Sequence, residues 1–366
     1  MSGAAQGGVN TLGKATYSVG ARAVTGYTKM DRANVSDPGH AAGISIDQSK
    51  MSLRSVATYK VSELLHLGLV PETVLLHEGD ETGQLMAEAH GSPGQGLMPG
   101  DEFGPDSDKM RVQVQRLLDR LAKPNLAAQD KKAILKEMAQ LANANHGVTV
   151  INGKIYELGS VVADFDWWDP VLQRHLNALQ FFDLLVGHAD RHSGNYIIDF
   201  DPSTANRRVR GIKGIDNDDT WGEQMTPANM AHQAFSKTPL PNLVDVKTAV
   251  KFLLATWPQI NAILVQFTLS PAEITAAQAR FTAVQAHIRH LATTGRLATD
   301  AGQLQPADLA ALQSVGINTA GLAAPFQWGA ATQAQSTWQT SYSGIQSDEK
   351  IAATTRGKTL YTPVYQ

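Results

Sequence analysis

Cysteine is absent from the 366 residues, which excludes disulfides, thiolate zinc sites and cysteine nucleophiles and leaves the redox compartment open. No run approaches the ~20 apolar residues that span a bilayer, so no transmembrane segment is expected. The N-terminal stretch from Met1 to Gly8 has neither the charged nor the apolar region of a secretory signal. The expected location is therefore the cytoplasm, or a host cell reached through a specialised bacterial secretion system, as for an effector with a small polar N-terminus. An excess of one charge sign is also missing: 31 Lys and Arg against 34 Asp and Glu leave a net charge of -3, which gives no broad basic field for nucleic acid. The length suffices for a two-lobed enzyme or two ordinary domains.

Glycine and short β-favouring runs fill residues 7–31, with Ala15 to Val19 and Ala23 to Thr28 either side of Gly20, and predict a small antiparallel meander. Val56, Tyr59, Leu64 and Leu67 follow at near-helical steps and predict a helix stopped by Gly68. Thr73 to Leu76 and Gln84 to Met86 read as strands. Gly91 to Asp106 is rich in Gly and Pro and reads as a loop at a boundary. Two amphipathic helices come next, carrying Met110, Val114, Leu117, Leu118 and Leu121, then Ile134, Met138 and Leu141. Asn152-Gly153 between two short apolar runs predicts a tight hairpin.

Asp169 is suited to cap a helix and Pro170 to open it, and the run to Val186 is apolar on more than one face, as in a buried helix. Tyr196 to Phe200 and Val209 to Ile215 read as a hairpin. From about residue 240 to 312 the pattern is helical, including Leu243 to Leu254 and Pro271 to Leu291. Beyond Ile317, Ala, Gln, Thr and Gly dominate, with Trp328, Trp338 and Tyr342 scattered among them, and predict a surface wrap or a tail. The expected units are 1–90, 91–147, 148–315 and 316–366.

Phosphoryl transfer requires a carboxylate to orient the acceptor hydroxyl, a metal ligand on the same loop and a second carboxylate for the metal. The loop from His188 to Asn195 has Asp190 two residues after His188 and Asn195 five residues after Asp190, the spacing of a kinase catalytic loop. Asp216 closes the return strand of the hairpin and falls beside Asn195, so Asn195 and Asp216 are the candidate metal ligands, for Mg2+.

The runs Leu184 to Asn195 and Gly214 to Asp218 resemble the Asp-Arg-His-x-x-Asn and Ile-Asp-x-Gly signatures of phosphoinositide 3-/4-kinase-like and related bacterial atypical kinases. Arg54 to Leu65 and Leu69 to Thr73 are similar to that family's N-lobe helix and following strand. The resemblance implies an α+β, two-lobed protein-kinase-like fold: a small β-rich N-lobe over 1–90, a linker and helical insertion over 91–147, and a larger helical C-lobe over 148–315. It implies ATP and Mg2+ as cofactors and transfer to a protein or phosphoinositide hydroxyl. In this scheme Asp190 faces the acceptor, His192 lies near the transferred phosphate, and His188 is structural. The run from Gly7 through Gly8 to Gly13 covers the phosphates, Lys29 pairs with them in preference to Lys14, and Met86 and Ala87 lie near the adenine.

Two departures keep other readings open. Ser55 stands where the resemblance puts a glutamate that would hold the lysine, with Glu63 two turns away, and Asp218 and Asp219 replace a glycine near Asp216. A pseudokinase that only binds a partner, or a kinase-like enzyme performing adenylylation, would tolerate both. A third reading is a metal-dependent hydrolase: His188 and His192, four apart with Asp190 between them, would ligate zinc if that segment were helical.

Overall fold

The β-favouring runs before residue 31 pair as an antiparallel ladder in the computed structural model, which describes residues 2–5, 12–19, 22–31, 35–93, 148–151, 154–157, 169–191, 193–201, 208–227 and 240–329, with isolated positions between 117 and 134. Strands β1 (Ser2–Ala5), β2 (Leu12–Val19) and β3 (Arg22–Met30) are followed by helices α1 (Asp37–Ala41) and α2 (Met51–Leu64), then by β4 (Thr73–Glu78) and β5 (Glu81–Ala87). The five strands form one sheet in the order β1-β2-β3-β5-β4, with every pair antiparallel. α2 begins at Met51, directly after Lys50, whose φ of 47° lies in the left-handed region. It packs on β4 and β5 through its apolar side.

A two-residue strand, β6 (Ser92–Pro93), leaves this unit and joins a second sheet. β7 (Val148–Ile151) and β8 (Lys154–Glu157) pair with Ile151 opposite Lys154, the register that an Asn-Gly turn produces. Most of the two expected insertion helices lies outside the described residues, although Leu117 and Ile134 are helical and buried. Helix α3 (Pro170–Val186) starts as its sequence dictates. The Asp169 carboxylate accepts from the amides of Val171 at 2.7 Å and Leu172 at 3.2 Å, and Pro170 takes the position where a missing N–H costs nothing. Its leucines and phenylalanines are buried nearly all round, so α3 is the central rod of the core.

β9 (Tyr196–Phe200) and β10 (Val209–Gly214) form the expected hairpin, and β6 pairs with β9. Next come β11 (Val244–Asp245), α4 (Val246–Leu254), α5 (Trp257–Gln266), α6 (Pro271–Thr293), β12 (Leu297–Thr299), α7 (Pro306–Ser314) and β13 (Phe326–Gln327). The parallel sheet β11-β12-β13 was not foreseen, because strands of two or three residues carry no periodicity. The chain from 317 to 329, expected to start the tail, is built into this body. Trp328 is 2% exposed, packs on Leu243 and Ala298, and donates its indole N–H to the Asp245 carboxylate at 3.1 Å. Trp338 and Tyr342 lie outside the described residues.

The described architecture is α+β, an antiparallel sheet with one helix packed on it followed by a largely helical body. No single helix among the described residues is long and apolar enough to cross a membrane. α4 and α5 pass that test together by length and composition, but they meet at 72°.

Candidate active site

The site is assembled where α3 ends. Gly187 closes the helix with φ 65°, a conformation that suits a residue without Cβ, and turns the chain into the loop that begins at His188. A single 3-10 turn, Ser193–Asn195, carries the loop into β9. The hairpin then returns the chain alongside, and the Ile215 amide donates to the Asn195 carbonyl at 2.9 Å. Asp216 is the next residue, with φ 56°, a left-handed conformation that is uncommon for a non-glycine residue.

His188 joins the two segments. Its Nδ1 accepts the Asp190 amide at 3.1 Å, so the proton of the neutral ring sits on Nε2, which donates to the Asp216 carbonyl at 3.1 Å. With both ring nitrogens engaged, His188 has no lone pair to offer a metal.

Arg191 is the second tie. Its guanidinium meets both oxygens of Asp183 on α3, at 2.9 and 3.0 Å, and reaches the Asn195 carbonyl, the Ile215 carbonyl at 2.7 Å and Asn217 Oδ1 at 2.8 Å. One planar fork therefore sets the helix end, the loop and the strand exit relative to one another. The Asn195 amide nitrogen donates to the Asp190 carbonyl at 2.8 Å, which orients Oδ1 as the remaining acceptor.

Lys29 arrives from β3. Its amine pairs with Asp216 Oδ1 at 2.9 Å and with Asp218 Oδ2 at 2.5 Å. Burial opposes its charge, but the two carboxylates more than offset that, and the lysine is held well above its ordinary range. Burial pushes Asp218 up to about 7, with the neighbouring Asp216 charge acting in the same direction. Partial desolvation by the surrounding packing works against an ionised Asp216, yet the Lys29 charge prevails and keeps it below the usual carboxylate range. Burial raises Asp219 too. Ser36 donates to Asp219 at 2.5 Å, and α1 approaches so closely that a Cβ on Gly39 would collide with that carboxylate.

Lys29 lies opposite Gln84, and Tyr27 lies opposite Met86, so strand alternation puts all four on one face of the sheet. Gln84 is 6% exposed, and its Oε1 has no donor among the described residues. Ala87 falls on the other face, and its amide is spent on the Glu72 carbonyl at 2.8 Å, which leaves it no N–H for a ligand. Gly13 lies within β2 opposite Thr28 rather than in a loop. Gly8 and His192 lie outside the described residues. Lys14, the competing lysine, is held by Glu88 and lies over the Tyr27 ring, and no contact joins it to Asp216 or Asp218 among the described residues.

Beyond Asp219 the segment is gripped by α2. Arg54 donates to the Thr220 carbonyl at 2.9 Å and pairs with Glu273 at the start of α6, while Thr58 Oγ1 meets Thr220 Oγ1 at 3.0 Å and the Trp221 indole N–H at 2.9 Å. The roles of Arg54, Arg191, Asp218 and Asp219 escaped sequence reasoning. A usable signal existed for one pair: Asp183 in an otherwise apolar helical run and the following Arg191 call for each other on burial cost alone.

The donor set fits a hard, oxygen-seeking cation. Asn195 Oδ1 supplies neutral oxygen, and Asp216, which Lys29 keeps ionised, supplies anionic oxygen. No group of three or more His, Asp or Glu side chains poised for a metal occurs among the described residues. The zinc-hydrolase alternative fails on its first ligand, since His188 is fully engaged and Ser193–Asn195 is a 3-10 turn.

No family model matches the chain, and no curated protein matches it. Among solved structures, the crystal structure of a Helicobacter pylori proinflammatory kinase, CtkA, is similar at a TM-score of 0.38 and 9% identity, covering 79% of this chain and 94% of that one.

Proposed function

We propose that this protein is an ATP- and Mg2+-dependent phosphotransferase with a two-lobed, kinase-like arrangement of the phosphoinositide 3-/4-kinase-like type, acting on a protein or phosphoinositide hydroxyl. The observation that carries the reading is the convergence of Lys29, from the start of the chain, on Asp216 and the Asp190–Asn195 loop, which one hairpin brings together far along it. Lys29 supplies a fixed positive charge for nucleotide phosphates. Asn195 and Asp216 would hold the metal, which when bound neutralises phosphate charge. Asp190 orients the acceptor hydroxyl and takes its proton as the new oxygen–phosphorus bond forms and the γ-phosphorus bond to the bridging oxygen breaks, with ADP leaving. The His188 and Arg191 ties keep the proton acceptor and the metal ligands in register before substrate arrives.

The test is Mg2+-dependent nucleotide turnover by the purified chain and by Asp216→Ala. The wild type should turn over ATP only with Mg2+, and the variant should lose that activity while its melting temperature stays close to the parent's. Undiminished turnover by the variant would remove Asp216 from the site.

A further inference from the structure

Two carboxylates share Lys29, and they differ in what else can reach them. The Asp216 side chain is 47% exposed, whereas that of Asp218 is 3% exposed. A cation arriving from solvent therefore meets Asp216 and cannot approach Asp218 without unpacking the segment. Apart from the Lys29 amine, no hydrogen-bond donor reaches Asp218 Oδ2 among the described residues.

The neighbouring helix offers Lys29 nothing instead. Glu63, the one carboxylate of α2, is exposed near its C-terminal end, and Ser55 is buried with an Oγ that has no hydrogen-bond partner among the described residues. Two buried polar side chains of α2, Arg54 and Thr58, engage the 216–221 segment itself, at Thr220 and Trp221. The segment that carries Asp218 is thus fixed to the helix, and the anion comes from the segment.

We propose that Asp218 is the positioning residue for Lys29, keeping its amine aimed into the cleft when Asp216 is taken by a metal ion. The inference rests on the nucleotide-binding reading above. It assigns the two acids different tasks: Asp216 exchanges partners, and Asp218 does not. Removing the partner of a buried ion pair is strongly destabilising, so the Lys29–Asp218 pair holds the amine at the cleft.

A double-mutant cycle between Lys29→Met and Asp218→Asn, read as ADP affinity by calorimetry with EDTA and again with Mg2+, tests this. With Lys29 present, Asp218→Asn should weaken ADP about tenfold with Mg2+ and by less with EDTA, where Asp216 still holds the amine, and in the Lys29→Met background by less than about twofold under either condition. An equal loss in both backgrounds would overturn the proposal, because Asp218 would then act without the lysine. A loss with Mg2+ that persists undiminished in the Lys29→Met background would make Asp218 a metal ligand and overturn it too, as would no loss at all with Mg2+. If Asp218→Asn does not fold, Asp218→Glu carries the same cycle: it keeps the charge, displaces it by a methylene, and should show the same dependence on Lys29. Failure of the wild type to bind ADP under either condition would reject the nucleotide reading itself, and this inference with it.

Discussion

Replacing Arg191 with alanine should be among the most costly single changes in the chain. Its side chain is 4% exposed and that of Asp183 is 9% exposed, so truncation leaves a buried carboxylate without its cation. Removing one partner of such a pair costs about 3–5 kcal/mol, a large share of the ~5–15 kcal/mol that holds a typical domain together. The Ile215 carbonyl loses the guanidinium in the same step, and the Asn195 carbonyl keeps only the Ile215 amide. Arg191→Met with Asp183→Leu removes both charges and should recover most of the stability, because paired apolar replacements avoid the uncompensated ion. The double variant should still have reduced turnover, since the Arg191 tie between the loop and the strand exit is gone and only the His188 and Ile215–Asn195 contacts remain. Equilibrium unfolding in urea, with parallel turnover assays, measures both. A cost below about 1 kcal/mol for Arg191→Ala would place the pair in solvent-like surroundings and refute the clamp.

Two further predictions concern charge. Lys29→Ala should weaken nucleotide binding by about tenfold or more, and Lys14→Ala by less, because only Lys29 faces Asp216 and Asp218; calorimetry with MgADP would expose the reverse order. His175, on α3, is pushed down to about 4 by burial, with Arg174, Lys251 and Lys213 adding to the shift. Between about pH 6.5 and 4 the unfolded chain takes up a proton there that the folded chain refuses, so stability present above pH 6.5 is lost as pH falls. The loss is about 1–3 kcal/mol after allowance for partial exposure. His175→Gln should flatten the acid limb of a stability–pH profile, and an unchanged slope would show that the ring is not the titrating group.

The local parts of the site were legible because their signals are local. Asp169, Pro170 and the apolar run to Val186 dictate a capped, buried helix, and the following turn and hairpin dictate that Asn195 and Asp216 lie side by side. The partners of Lys29 were not legible, since 187 residues separate it from Asp216 and nothing in a strand pattern says which lysine faces which loop. Ser55 drew attention as a missing carboxylate, and the structure supplies the anion from Asp218, in the position where the sequence showed only a lost glycine. α2 begins at Met51 without a capping side chain, so no start signal preceded it. Trp328 could not be separated from the Ala- and Gln-rich chain around it, because its anchor is a distant buried carboxylate, Asp245.

Asp190 is the residue on which the proposed chemistry depends most. Asp190→Asn preserves shape while removing the proton acceptor, and in the proposed reading Asp190 serves the acceptor hydroxyl rather than the nucleotide phosphates. Matched measurements of MgADP affinity and phosphoryl transfer rate on this variant should show affinity within about twofold of the parent and transfer lowered by ~10²–10⁴. Transfer at the parental rate would contradict the assignment of the His188–Asn195 loop as the catalytic loop.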